Sequence, residues 1–562
     1  MTYKKYFHTC FIFLPVLLSS CGFLGVHLKV HNPKKAGRYP KETKQLLLLG
    51  AKSKYRDCYD VKYYRLDIEL MPDKKALSGR VDMMAYALSD IDTFQLDLYP
   101  NMAIEKLYVT SRGMIWTPKY RREAGAVFIE IPDKIKNGDP FMITTMYNGK
   151  PQIAKRPPWD GGFTWKKDKK GNPWIGVSCE SEGASLWWPC KDDVADEPDS
   201  VYMSVTVPKG LTAVSNGNLL KADTSGFKNT FAWAVSYPIN NYNVTLYAGN
   251  LVLVQDEYKS GLTGKTTRLN HYVLPENAEK AKTHFQQVKK HMAFYEKMFG
   301  EYPWQRDGFK LVESPYAGME HQSAIAYGNG YKNDYGGIFD YIILHETAHE
   351  WWGNSVTAAD LADGWIHEGF ASYCEALYVE SILGKEEYTS YMFQQRITIR
   401  NKRPVVRKRG IRYFDYHDED IYTKGSWVLH TLRTVIDDDA LFFDILKTFR
   451  TENHQKQILS EVFIDLVNRK TGKDYNWFFK QYLFKREAPI LEFCRKNDRL
   501  YYRWKNTGDD FVMPVKLLVQ NKTITLVPTA MVQSIELDDR YDFYDNSTDA
   551  YYGMKVNKKL VK

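Results

Sequence analysis

Apolar and polar residues alternate through Tyr64-Arg65-Leu66-Asp67-Ile68-Glu69-Leu70 and again through Phe94-Gln95-Leu96-Asp97-Leu98. A two-residue period turns one face of a strand to a core and the other to solvent, so residues 51–254 are predicted to form an N-terminal all-β domain. From 255 to 489 the period lengthens. Ala281, Phe285, Val288, Met292, Tyr295 and Phe299 line one face of a helix that should stop at Gly300, a residue suited to closing a helix. Alternation returns over residues 490–562, as in Met513-Pro514-Val515-Lys516-Leu517-Leu518-Val519 and Thr523-Ile524-Thr525-Leu526-Val527. The expected fold class is multidomain α+β, with a mainly helical central domain and a small C-terminal β domain. No internal repeat or low-complexity segment interrupts it.

The N-terminus follows neither period. Lys4 and Lys5 precede an apolar run from Cys10 to Leu18, too short to span a bilayer but of the length of a secretory signal. Leu18-Ser19-Ser20-Cys21 resembles a bacterial lipobox, which would make residues 1–20 a lipoprotein signal peptide and Cys21 the acylated first residue. A conventional signal cut near Ser19 is the alternative. Gly22 rather than Asp follows Cys21, so the expected location is the cell envelope, anchored in the outer membrane and facing the periplasm. Residues 21–50, with Pro33-Lys34-Lys35 and Lys41 to Lys44, have no periodicity and read as a tether.

The 562 residues carry a formal charge of +9, and removing Lys4 and Lys5 with the signal leaves +7. That is mild for the length, and no basic stripe with interleaved aromatics appears, so nucleic acid is excluded as a partner. Beyond Cys21 the cysteines stand at 58, 179, 190, 374 and 494, too few for a disulfide framework. Cys179 and Cys190 could pair, whereas Cys374, within a helical run, reads as a small apolar side chain.

Candidate chemistry is concentrated in His345-Glu346-Thr347-Ala348-His349 and Glu368. Residues four apart on a helix lie about 40° from each other around the axis, so His345 and His349 leave one face together. Ile342, Ile343, Leu344, Trp351 and Trp352 make the surroundings apolar, where unpaired imidazoles would be costly and a metal ion removes the cost. Trp365, Phe370, Tyr373, Leu377 and Ile382 place Glu368 on a second helix, where it completes a two-histidine, one-carboxylate set for one Zn2+. Glu346, about 100° from His345, is badly placed to ligate but can reach a metal-bound water as general base.

Several separate segments then resemble the thermolysin-like zinc aminopeptidase family that includes aminopeptidase N and the leukotriene hydrolase. Ala317-Gly318-Met319-Glu320-His321 is similar to its substrate-clamping Gly-X-Met-Glu-Asn motif. Tyr422-Thr423-Lys424-Gly425-Ser426 resembles the segment of its catalytic tyrosine. Cys179-Glu180-Ser181-Glu182-Gly183, ahead of Trp188-Pro189-Cys190-Lys191-Asp192, is similar to a segment that contacts the substrate amine, and Ser215-Asn216-Gly217 and Trp477 to Pro489 also match. The resemblance runs from about Tyr63 to Leu491. It implies a thermolysin-like catalytic domain at 255–489, Tyr422 as stabiliser of the oxyanion, Glu320 and Glu180 as the clamp for a free N-terminal ammonium, and Gly318, Met319 and His321 as further substrate contacts. Ala324 to Tyr327, closed by Gly328-Asn329-Gly330, reads as an edge strand for extended peptide.

Two positions depart from that pattern, since His321 and His367 stand where the family has Asn. His321, with an ordinary pKa near 6.5, would add a pH dependence that Asn lacks. His367, about 100° from Glu368 around its helix, reads as structural. Many family members end in a large helical domain for which this chain has no room, so a more open cleft is expected. The reading is an aminopeptidase acting on peptides with a free N-terminus. Its rivals are an epoxide hydrolase of the leukotriene hydrolase type, which would need a lipid tunnel, and a catalytically silent peptide-binding lipoprotein.

Overall fold

The computed structural model describes residues 30–37, 41–50, 52–413, 418–519, 522–537, 543–545 and 548–561. Cys21 and the signal lie outside these residues. The alternating runs form an eight-stranded sheet in which Tyr59–Met71 pairs antiparallel with Ala76–Ala87 and parallel with Ser200–Pro208. Leu66, Ile68 and Leu70 are buried from this strand, as the period requires. A second sheet of Thr212–Ser215, Leu246–Gly249, Pro173–Ser178 and Gly162–Lys167, in that order, brings the chain to Glu180 just past the end of its third strand.

The catalytic region opens with strands, not helices. Val252–Lys259, Thr266–Val273, Leu311–Glu313, Ile325–Tyr327 and Gly318–Met319 form a five-stranded sheet in this order, so the boundary expected at 254 falls inside a strand. The predicted edge is also corrected. Ile325–Tyr327 lies between two neighbours, and Gly318–Met319 holds the edge. The stripe from Ala281 to Phe299 is buried at all six positions, but its helix breaks into Ala278–His284 and Gln287–Phe299 before ending at Gly300, whose φ is 92°. Beyond it stand the helix Tyr341–Ala348, the long helix Trp365–Leu383 and the helix Thr423–Ile436. The C-terminal strands pack onto this helical core, where Trp427 meets Tyr551 with ring centroids 6.0 Å apart.

Residues 30–37 and 41–50 are docked onto the rest of the chain rather than forming a loose tether. Asn32 clamps Ala488, its side-chain N–H donating to the carbonyl at 3.0 Å and its Oδ1 accepting the amide N–H at 2.8 Å. The helix Lys44–Gly50 is held through its carbonyls, which accept from Arg56, Gln95 and the amide of Arg412. A strap held by single hydrogen bonds needs no apolar period, which is why the pattern did not reveal it. Cys58, Cys179, Cys190, Cys374 and Cys494 are free and buried, so the possible Cys179–Cys190 bridge is not formed. Among the described residues no helix is long and apolar enough to cross a membrane.

Candidate metal and peptide site

Asp340 starts the first site helix. Its carboxylate accepts the N–H groups of Ile342 and Ile343 and also the hydroxyl of Tyr327 at 2.7 Å, fixing the helix N-terminus. One turn on, Nε2 of His345 and Nε2 of His349 face each other at 3.1 Å, with Glu368 Oε2 at 3.4 and 3.5 Å. The opposite ring nitrogens are occupied. Nδ1 of His345 meets Glu375 Oε1 at 2.5 Å, and Nδ1 of His349 meets the Trp352 carbonyl at 2.9 Å. Protons on both Nδ1 atoms leave two Nε2 lone pairs and a carboxylate oxygen converging on one point, a donor set that suits zinc.

The charge balance agrees. Burial would lower His345, but hydrogen bonds to Glu368 and Glu375 hold it well above its ordinary value. Burial would raise Glu368, yet the two imidazoles hold it far below the usual carboxylate range. The trio thus favours positive charge in its midst.

Glu346 faces Gly318 on the edge strand. A Cβ there would lie 2.3 Å from Glu346 Oε1, so only glycine lets the strand pass this close to the carboxyl. Burial pushes Glu346 up to about 8, close to where a group that takes and returns a proton should titrate.

Tyr422 stands at the start of the helix Thr423–Ile436, half-buried, with its ring stacked 6.3 Å from that of His345. Its position depends on two glycines. A Cβ on Gly369 would lie 2.9 Å from Gly425 Cα, and the reverse distance is the same, so the helices carrying Glu368 and Tyr422 touch backbone to backbone.

Glu180 and Glu320 are brought together with His367, their polar atoms lying within 4.8 Å of one another. Tyr242 donates to Glu320 Oε1 at 3.2 Å, and burial raises the Glu320 carboxyl. This second group does not suit a metal. His367 Nε2 accepts the Ala358 N–H at 2.8 Å, which places the ring proton on Nδ1 and leaves no lone pair there. Two carboxylates beside the metal site suit an ammonium group instead.

Met319 is buried against the N-terminal core, so at the edge strand it offers backbone rather than side chain. His321, next to Glu320, has a fully buried ring with Nδ1 2.8 Å from the Tyr247 hydroxyl. Burial drives its pKa down to about 3, so the pH dependence expected near neutrality does not arise from it.

Glu375 escaped the sequence reading. It lies seven residues beyond Glu368, two helical turns on, and a carboxylate on the same face of a buried helix was the available signal. Its other oxygen accepts the Tyr391 hydroxyl at 2.5 Å, extending a chain of hydrogen bonds from Tyr391 to His345.

Residues 283–482 match the peptidase family M1 domain. Mouse aminopeptidase B is 27% identical over 477 residues, covering 77% of this chain and 69% of the relative. Leucyl aminopeptidase from Saccharolobus solfataricus is 23% identical over 52% of this chain and 39% of its own. The crystal structure of an M1 zinc metallopeptidase from Deinococcus radiodurans superposes with a TM-score of 0.63 at 21% identity, over 76% of this chain and 94% of that one, and so shares the fold.

Proposed function

We propose, from a catalytic region that matches the peptidase family M1 domain over residues 283–482, that this zinc aminopeptidase releases single residues from peptides whose free N-terminus is held by Glu180 and Glu320. The observation that carries the reading is the adjacency of two unlike sites. Glu320 groups within 4.8 Å of Glu180 on one side and of Glu346 and His349 on the other. A substrate ammonium held there sets its first peptide bond at the metal, and the distance to the clamp counts off one residue.

Zinc held by His345, His349 and Glu368 would polarise the scissile carbonyl and lower the pKa of a bound water. Glu346 is placed to take a proton from the attacking water and to return it to the departing nitrogen. The Tyr422 phenol donates to the oxygen that gains charge. The Gly318–Met319 edge offers backbone groups to an extended chain. An ammonium clamp and a strand edge suit a peptide rather than an epoxide. We further propose that Cys21 carries lipid and places the enzyme in a bacterial cell envelope, on the support of the sequence alone.

The test compares an aminoacyl amide with its N-acetylated form, with and without chelator. Chelator-sensitive turnover of the free amine alone is expected, and equal rates on both substrates would remove the clamp. For the anchor, the wild type should label with palmitate and the Cys21→Ser variant should not.

A further inference from the structure

Away from the cleft, the N-terminal strap reaches both flanks of Tyr422 by separate routes. On one side, the His31 carbonyl accepts Asn401 Nδ2–H at 2.7 Å and Gly37 N–H donates to the Lys402 carbonyl at 2.8 Å. Arg400, the residue before Asn401, donates its N–H to Asp420 Oδ1 at 2.7 Å, two positions before Tyr422. Asp420 and Asn401 are both fully buried. On the other side, the Pro33 carbonyl accepts from the Arg486 guanidinium at 2.7 Å. The Arg486 carbonyl in turn accepts Lys424 Nζ–H at 2.9 Å, two positions after Tyr422.

We propose that residues 30–37 are a positioning segment for the reaction, holding Tyr422 at the metal site by fixing Asp420 and Lys424 on either side of it. The proposal rests on the reading of Tyr422 as the oxyanion donor. The strap touches no reacting atom. Its effect passes through two short bridges to a residue whose hydroxyl must meet a developing charge, and a displacement of about 1 Å there can cost up to a hundredfold in rate.

The experiment uses the full chain with Asn32→Ala, which removes the clamp on Ala488, and Gly37→Pro, which removes the donor to Lys402, each in the wild type and in a Tyr422→Phe background. Thermal unfolding and zinc content establish that each variant is folded and loaded. We expect either strap substitution to lower kcat about tenfold with little change in KM or zinc, and to lower it no further when Tyr422 is already Phe. An unchanged kcat in both strap variants overturns the proposal, as does the same fold loss in the two backgrounds. Should Tyr422→Phe alone leave kcat intact, the phenol leaves the mechanism and the proposal falls with it. A crippled Tyr422→Phe enzyme with additive strap losses sinks the strap alone.

Discussion

Glu346, next to His345 in the chain, and Glu375, hydrogen-bonded to it from another helix, are both buried carboxylates, yet they do different things because they face different atoms. Glu346 looks across to Gly318 and the ammonium clamp, so Glu346→Gln should retain zinc while kcat falls by about 10²–10⁴-fold, the range typical of a lost general base. Metal analysis beside single-turnover kinetics checks this, and substantial turnover in a fully loaded variant would contradict it. Glu375 looks at the back of His345 and fixes its proton on Nδ1. Glu375→Gln should weaken zinc binding by about 10–100-fold, read by titration against a competing chelator. Tyr391→Phe should move affinity in the same direction, since its hydroxyl holds the second Glu375 oxygen. Unaltered affinity in both variants would leave Glu375 a packing residue.

At the scale of elements, glycine sets how closely the site's supports approach. In Gly425→Ala the new methyl would meet the Gly369 backbone at the 2.9 Å contact, and overpacking of this kind costs typically about 1–3 kcal/mol. Urea unfolding should show that loss, and kcat should fall beyond it because the helix that moves begins beside Tyr422. A variant as stable and active as the wild type would mean that the helices part without consequence. The convergence of His345, His349 and Glu368 was legible in the sequence because they sit on helices or at a helix end, where spacing determines direction. The buried stripe from Ala281 to Phe299 was legible for the same reason, although not its break at Phe285. Less regular parts were hidden. Gly318–Met319 is a two-residue strand with no period to detect, and the strap is held by side-chain and carbonyl hydrogen bonds that leave no hydrophobic trace. His321 was read as a substrate contact because it ends the segment that resembles the clamping motif, and its hydrogen bond with Tyr247 left no trace in the sequence.

Over the whole molecule, buried neutral imidazoles make stability depend on acid. His271, His291, His321 and His430 are all lowered to about 3 by burial. The unfolded chain binds protons at these positions below about pH 6.5 while the folded one does not, so their effect is absent at higher pH and grows as pH falls from 6.5 toward 3. Each can remove up to about 1.4 kcal/mol per pH unit in that window. Glu197 and Glu350, raised to about 7 by burial, act in the opposite sense, so the histidine contribution is read by difference: replacing His291 by a neutral aromatic of similar size should make the melting temperature less sensitive to acid between pH 6.5 and 4.5 than in the wild type. The same pH profile in variant and wild type would show that this ring takes up a proton without unfolding.

The docked strap also sets a reach. Val30 lies against Gly553 of the C-terminal sheet, only nine residues after Cys21. Were the protein held by lipid at Cys21, its leash would be at most about 30 Å of extended chain, instead of the thirty residues that a free tether up to residue 51 would provide. So short a leash limits tumbling as well as distance. The side of the molecule bearing Ala488 and Gly553 would be kept toward the bilayer, and the volume searched by the catalytic cleft would be a thin layer above the membrane. Peptide ends released or tethered within that layer would meet the enzyme at a high effective concentration, while longer chains extending beyond it would have to come down to be trimmed.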